Sequence, residues 1–234
     1  MRPLAILIAG EPVPGALTAR GTFGRMIREA VGDAWQGPWQ EVDARAELPD
    51  FDAFAGLIIS GSAANVPNRD PWILEVERWL ARAVPTGLPI FGICFGHQLL
   101  GQALGGLVTK NPRGREIGTV ELEVLVPGDD PLLGASGYLV NMTHVDSVVT
   151  LPPGACLLAR TAQDENAAVF FGHRTWGVQF HPEMDAEIVK HYLLARRGAL
   201  QTEGLDADKS LLAARDTPES RALLRRFVTL QVGS

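Results

Sequence analysis

The chain has 234 residues, of which 46% are hydrophobic and 21% charged, as is ordinary for a globular enzyme. Its formal net charge of -6, with no dense basic cluster, argues against nucleic acid as the main partner. No apolar run approaches the ~20 residues that span a bilayer, and the N-terminal apolar stretch is too short for a signal peptide. We therefore expect a cytoplasmic protein with free thiols and no membrane partner.

The first third of the chain alternates strand patterns with helix patterns. The predicted elements of this region are strands at 4–9, 39–42 and 54–59 and helices at 23–31 and 72–84. Segment 10–21, rich in Pro and Gly, is predicted to be a loop. Strands and helices alternating at this spacing indicate parallel βαβ units. The predicted class is α/β, with a doubly wound, mostly parallel central sheet and flanking helices.

The stretch Gly92-Ile93-Cys94-Phe95-Gly96 follows a short apolar run and precedes a helical pattern. This order predicts that a buried strand ends, the chain turns sharply, and a helix begins with Cys94 at the corner. The two glycines permit such a corner because they lack a Cβ. A thiol there lies at the carboxyl edge of the sheet, near the positive end of a helix. Those are the requirements for a nucleophile.

From residue 107 onward, shorter strand patterns replace the βαβ units. They predict an antiparallel extension with strands at 119–126, 137–142, 156–160, 167–171 and 176–180 and a hairpin connection at 172–175. Cys156, on one of these strands, is predicted to be a small core residue. Helices are predicted at 185–196 and 217–228, whereas 201–215 is polar and poorly periodic. Residues 1–234 are predicted to form one domain, with 201–234 as a helical C-terminal extension.

His181 and Glu183 leave the end of an apolar strand on a turn fixed by Pro182. Their spacing of two allows both side chains to point to the same side of an extended chain. A nucleophilic thiol needs a base, and the base needs a group that orients it. The predicted arrangement is therefore a Cys94-His181-Glu183 triad. A lone histidine at a strand end is more often structural, and the combination with the Cys94 corner favours the catalytic interpretation.

Four segments in chain order carry a family resemblance. Residues 89–100 resemble the active-site signature of class I (triad-type) glutamine amidotransferases, and 179–183 resemble the family's second motif. Segments 115–118 and 142–148 are similar to two motifs of the GMP synthase branch. The resemblance spans roughly residues 4–193, and it implies a flavodoxin-like arrangement of the α/β fold.

The resemblance implies hydrolysis of the glutamine side-chain amide through a glutamyl thioester on Cys94, with release of ammonia. His181 would be the base and Glu183 the orienting group. The residues matching the oxyanion-hole positions are Ser62 and Phe95. The resemblance also implies an ammonia-accepting synthetase partner, of a kind that the sequence does not identify. No cofactor and no metal site are expected, because no His, Cys and carboxylate spacing is typical of metal ligands.

Five further positions match the family's substrate-binding residues, namely Gln98, Thr143, His144, Val145 and Asp146. The last four correspond to a segment that holds the amino-acid head of the substrate, partly through backbone groups. Val145 stands where the family usually has glycine, which adds bulk to this segment. The substrate is therefore a small γ-glutamyl compound, which need not be free glutamine.

Two alternatives remain open at this point. A γ-glutamyl peptidase or hydrolase would use the same residues without ammonia transfer. An inactive binding or regulatory subunit would keep the fold without the reaction, although the complete triad argues against it. A further hypothesis is that segment 201–234 covers the site or docks a partner, because it is polar and lies beyond the motif-matched region.

Overall fold

The computed structural model of the chain describes residues 1–126, 128–134 and 136–233, so Ser234 of the predicted extension lies outside the described residues. The strands are β1 (Leu4–Ile8), β2 (Trp39–Asp43), β3 (Gly56–Ile59), β4 (Ile90–Ile93), β5 (Leu107–Lys110), β6 (Glu116–Val124), β7 (Tyr138–His144), β8 (Asp146–Thr150), β9 (Cys156–Arg160), β10 (Ala168–Gly172) and β11 (Thr175–Val178). The helices are α1 (Pro14–Arg20), α2 (Phe23–Val31), α3 (Pro71–Ala83), α4 (Phe95–Ala103), α5 (Ala186–Ala195), α6 (Arg197–Thr202), α7 (Ala207–Ala213) and α8 (Pro218–Phe227).

In the described part of the chain, nine strands form the central sheet in the order β2-β1-β3-β4-β11-β10-β9-β6-β7. Strands β2, β1, β3, β4 and β11 run parallel to one another. Strands β10, β9, β6 and β7 add to them as an antiparallel extension. The predicted α/β class, with its parallel core and antiparallel extension, is confirmed. The predicted hairpin at 172–175 also forms, joining β10 to β11.

Two apolar layers cover the parallel part of the sheet. On one face, Ile27 of α2 and Phe227 of α8 belong to the same buried cluster as Ile6 and Phe91 of the strands. On the other face, α3 and α4 pack with β3 in a second cluster. The central strands are buried on both faces, which explains their continuous apolar character.

Segment 10–21 is not the predicted loop, because α1 occupies most of it. Pro14 stands at the first helical position, where a missing N–H costs nothing, and Gly21 ends the helix at a φ of 88°. A second difference is the short sheet of β5 and β8, which no strand prediction covered. Segment 201–215 contains the end of α6 and the whole of α7.

The prediction for Cys156 was wrong. The residue lies at the start of β9, where its side chain is exposed. Burial along β9 begins only at Leu158 and Ala159, so the first residue of the strand stays at its solvent-exposed end. An apolar strand pattern therefore does not fix which of its small residues reach the core.

Candidate active site

Cys94 lies at the corner between β4 and α4, with φ 48° and ψ -99°. A positive φ is costly for a residue with a Cβ and persists only when the surroundings impose it. Gly92 and Gly96 let the neighbouring backbone approach closely enough to impose this conformation on Cys94. A Cβ on Gly92 would lie 2.6 Å from the carbonyl carbon of Gly96, and one on Gly96 would lie 2.7 Å from the carbonyl oxygen of Ile59. The Cys94 N–H donates to the carbonyl of Val178 at 2.8 Å, which fixes the corner against β11.

His181 and Glu183 occupy the turn that follows β11, and each is 2% exposed. The Nδ1 atom of His181 lies 2.7 Å from Oε1 of Glu183. The backbone N–H of His181 donates to Asn141 at 2.9 Å, and its ring stacks on Phe23 with centroids 6.4 Å apart. Within the described ranges, the buried Nε2 atom of His181 has no hydrogen-bond partner. One ring nitrogen is thus held by a carboxylate, and apart from the Cys94 thiol the other has no partner.

The charge balance around His181 favours the imidazolium. Burial opposes the charged form, but the charges of Glu183 and Cys94 outweigh burial and raise the pKa of His181 to about 10. Cys94 and His181 line the same cavity, which places the thiol near the ring. The arrangement suits proton transfer between a thiol and an imidazole that a carboxylate orients.

The thiol has two further polar neighbours. The side-chain amide of Gln179 donates to the sulfur of Cys94 at 3.4 Å, and the carbonyl oxygen of Thr143 lies 4.0 Å from the same sulfur. Gln179 was quoted in a sequence motif but was not predicted as a site residue. An amide N–H in this position can stabilise negative charge on the sulfur once the proton has left.

Phe95 and Ser62 are the residues predicted to supply the oxyanion-hole donors. Phe95 is the first residue of α4, where a helical N–H has no acceptor within its own helix. Ser62 lines the same cavity as Cys94. Its hydroxyl donates to Ala9 at 2.9 Å and accepts from the Ala64 N–H at 3.1 Å. The Ser62 side chain is therefore engaged within its own loop.

The predicted substrate-binding residues lie close to one another, since Gln98 and His144 both bond to Asp146. The amide of Gln98 donates to the Asp146 carbonyl at 2.7 Å and to the side chain of Gln179 at 3.1 Å. His144 is buried, with Nδ1 3.0 Å from the carbonyl oxygen of Asp146. The carbonyl of Val145 accepts from Asn111 at 2.8 Å. In the part of the chain that the structure describes, Thr143 alone among the five lines the cavity beside Cys94.

The cavity at Cys94 measures about 30 Å³, roughly the space of one water molecule. The lining side chains that sequence reasoning missed are Glu11, Val13, Phe23, Ala63, Tyr192 and Arg196. The first two precede α1, in the segment predicted as a loop, and the last two lie one helical turn apart at the end of α5. No motif marks these positions. The i, i+4 spacing of Tyr192 and Arg196 is the one signal that they share a helix face.

Among the described residues, no cluster of three or more His, Cys, Asp or Glu side chains could hold a metal ion. No helix in the described ranges is both long and apolar enough to cross a membrane.

Comparison with known proteins adds independent information about the family of this chain. The family model described as "Glutamine amidotransferase class-I" matches residues 35–198. A GMP synthase [glutamine-hydrolyzing] from Aeropyrum pernix is 39% identical over 162 residues, which cover 68% of this chain and 30% of that protein. A glutamine amidotransferase-like protein from Schizosaccharomyces pombe is 26% identical over 210 residues, covering 83% of this chain and 84% of that protein. The chain thus spans less than a third of the A. pernix relative.

Solved structures are similar in fold. A glutamine amidotransferase from Thermotoga maritima superposes with a TM-score of 0.78 at 21% identity, over the whole of both chains. One from Methylobacillus flagellatus gives a TM-score of 0.68 at 22% identity, over 100% of this chain and 93% of the other. At these identities, the likeness concerns the fold.

Proposed function

The chain belongs to the glutamine amidotransferase class-I family, whose model matches residues 35–198, and on that basis we propose that it hydrolyses a γ-glutamyl amide through a thioester on Cys94. The observation that carries the proposal is the buried imidazole of His181. It shares a cavity with Cys94, is bonded to Glu183 through Nδ1, and leaves Nε2 to the thiol.

The first half of the reaction forms the thioester. With the Cys94 proton held on Nε2 of His181, the thiolate attacks the γ-carbonyl carbon of the substrate. The negative charge that develops on the carbonyl oxygen is met by the backbone N–H groups of Phe95 and Ser62, donors of a kind worth about 10²–10³ each in rate. The C–N bond then breaks, and His181 returns its proton to the departing nitrogen, which leaves as ammonia.

The second half hydrolyses the thioester. Cys94 carries no negative charge as a thioester, so one of the two charges that raise the pKa of His181 is removed. The neutral ring can then take a proton from water as the water oxygen attacks the acyl carbon. The C–S bond breaks, glutamate is released, and the thiolate and imidazolium are restored.

The fate of the ammonia is the second part of the proposal. The A. pernix relative is named a glutamine-hydrolysing GMP synthase, which supports an ammonia-accepting synthetase partner for this chain. The alternative is cleavage of γ-glutamyl peptides without transfer, which the valine at position 145, where the family usually has glycine, leaves open.

The test is to incubate the pure protein with glutamine and with a panel of γ-glutamyl peptides, following ammonia and amine release separately. We expect turnover of at least one compound, its loss in Cys94→Ala, and its retention in Cys156→Ala, the matched change at the exposed thiol. Ammonia from glutamine supports the amidotransferase reaction, whereas amine from peptides with little ammonia supports the peptidase. Undiminished turnover in Cys94→Ala would refute the mechanism.

A further inference from the structure

The turn that follows β11 carries both His181 and Glu183, and its backbone is held at several points. The N–H of Met184 donates to the carbonyl of His181 at 3.2 Å, which closes the turn itself. The N–H of His181 donates to the carbonyl of Asn141 in β7 at 2.9 Å. The side-chain amide of Asn141 donates to the carbonyl of Met184 at 3.1 Å. Asn141 therefore holds the turn through both its backbone and its side chain.

The side chain of Asn141 is fixed in turn by a partner strand and by a later segment of the chain. It is fully buried, and its cross-strand neighbour in β6 is Thr119. The Thr119 hydroxyl donates to Oδ1 of Asn141 at 2.7 Å and accepts from the N–H of Arg215 at 2.9 Å. The carbonyl of Arg215 accepts from Nδ2 of Asn141 at 3.3 Å. Because carbonyl oxygens only accept, these partners fix which way the amide faces.

Segment 215–221, which leads into α8, adds two direct bonds to the turn. The carboxylate of Asp216 accepts from the N–H of Ala186 at 3.0 Å, where the turn leads into α5. The guanidinium of Arg221 donates to the carbonyl of Glu183 at 3.4 Å. This segment lies beyond the range that the family model matches. The turn that bears the predicted base is thus held both by β7 and by a segment outside the matched range.

We propose that Asn141, Thr119 and Asp216 are positioning residues, which use segment 215–221 to hold the predicted base in its place beside the nucleophile. The inference rests on the proposed function, since it concerns the base of that reaction. A base must lie within hydrogen-bond reach of the proton it transfers, and misplacement by about 1 Å can lower a rate about 10²-fold. The three side chains bond to backbone groups and to one another, so their loss moves the turn without removing a reacting group.

The first experiment removes single hydrogen bonds and compares each loss with a conservative change. Thr119→Val removes the hydroxyl, whereas Thr119→Ser keeps it. Asp216→Ala removes the acceptor of the Ala186 N–H, whereas Asp216→Asn keeps an oxygen in that place. The matched controls are Thr109→Val, on β5, where the hydroxyl bonds within its own strand, and Asp208→Ala, on α7.

We expect Thr119→Val and Asp216→Ala each to lower kcat about 10-fold, the rate equivalent of one net hydrogen bond, and to leave KM nearly unchanged. The Ser and Asn variants should restore most of the loss, and the controls should keep the kcat of the wild type. Because Asp216 is exposed, its variants test the inference even if a change at Thr119 prevents folding. Unchanged kcat, a loss that the conservative variants share, or an equal loss in the controls would overturn the positioning role.

Amide hydrogen exchange in the substrate-free protein separates this inference from the proposed function. In Thr119→Val and Asp216→Ala we expect faster exchange at the amides of the turn, those of His181 and Ala186. The Cys94 amide, at the corner between β4 and α4, should keep its rate and serves as the internal reference. Unchanged exchange at both turn amides would overturn the inference. Faster exchange in a protein that cleaves no γ-glutamyl compound would instead overturn the proposed function and leave the hydrogen-bonded support of the turn in place.

Discussion

Two buried histidines in this protein each sit beside a glutamate, yet their surroundings differ. His181 lies 2.7 Å from Glu183, and His144 lies 3.2 Å from Glu116. All four residues are 4% exposed or less. Pairing with a buried carboxylate is therefore common to both sites, and it does not distinguish a base from a structural residue.

The second ring nitrogen makes the difference. In His144 it lies 3.0 Å from the carbonyl oxygen of Asp146. Ser147, next to this ring, donates to Asp164 at 2.7 Å. These contacts join β7 and β8 to the loop after β9 and leave no nitrogen of His144 for a ligand. In His181 the second nitrogen is left to the thiol with which the ring shares a cavity. An oriented imidazole becomes an acid–base group only when one nitrogen remains available to the substrate.

The largest expected effect is the difference in kcat between the variants His181→Gln and His144→Gln. We expect His181→Gln to lower kcat for γ-glutamyl hydrolysis about 10²–10⁴-fold, the usual contribution of general acid–base catalysis. His144→Gln should lower kcat less than 10-fold, because its ring contacts only protein groups. Steady-state kinetics on folded variants, checked by circular dichroism, decide the matter. Equal losses in the two variants would erase the distinction.

The pH dependence of stability provides the second test. The folded-state pKa of His181 is raised to about 10, above its ordinary value of about 6.5. The contribution of the His181 ion pair to the free energy of unfolding is therefore fully present below pH ~6.5 and is lost as the pH rises through about 10. The loss amounts to a few kcal/mol, at about 1.4 kcal/mol per pKa unit. Urea unfolding of the wild type and His181→Gln should show a stability difference that changes over this window. A difference that is constant with pH contradicts the ion pair.

The variant Glu183→Gln tests whether the carboxylate beside His181 acts on the pKa of the ring and on kcat. Removing the carboxylate takes away the first of the two charges that raise the pKa of His181, so the imidazole pKa falls. We expect kcat to fall about 10–100-fold, since the ring loses its orienting partner while the thiol remains. NMR titration of the imidazole protons measures the shift directly. An unchanged His181 pKa in this variant would mean that Glu183 does not act on the ring.

The smallest effect is expected in the stability of His144→Gln. Loss of the ring leaves the buried carboxylate of Glu116 with one bond fewer, which costs about 1–2 kcal/mol in the free energy of unfolding. Thr161 still donates to that carboxylate at 3.0 Å, which limits the loss. Chemical denaturation of the wild type and the variant measures it. A stability loss smaller for His144→Gln than for the exposed change Arg197→Gln would contradict the structural role.

The sequence was most informative where backbone chemistry and motif coincide. The Cys94 corner could be predicted because two glycines and a strand–helix transition leave little choice of conformation. The triad and oxyanion assignments stay predictions, now with the geometry described above. The rest of the cavity could not be predicted, since Glu11 and Arg196 meet there through the packing of α1 on α5. Contacts between elements far apart in the chain leave no local pattern.

The substrate-binding segment illustrates the same limit. Two family motifs identified Gln98 and the pair His144 and Asp146, but a motif does not state which way a side chain faces. In the structure Gln98 and His144 bond to the backbone of Asp146 behind the cavity, and Thr143 reaches its wall. Side-chain direction at a strand end depends on the register with neighbouring strands, which is a tertiary property.

The narrow cavity also makes the two cysteines of the chain differ in how readily they are oxidised. Cys94 is 6% exposed, behind a space that admits about one water, whereas Cys156 is exposed at the start of β9. Oxidation of cysteine follows thiolate character and access. We expect bulky oxidants and alkylating reagents to modify Cys156 first, while small ones such as hydrogen peroxide discriminate less. Low exposure and the small space beside it thus shield the thiol that is predicted to react.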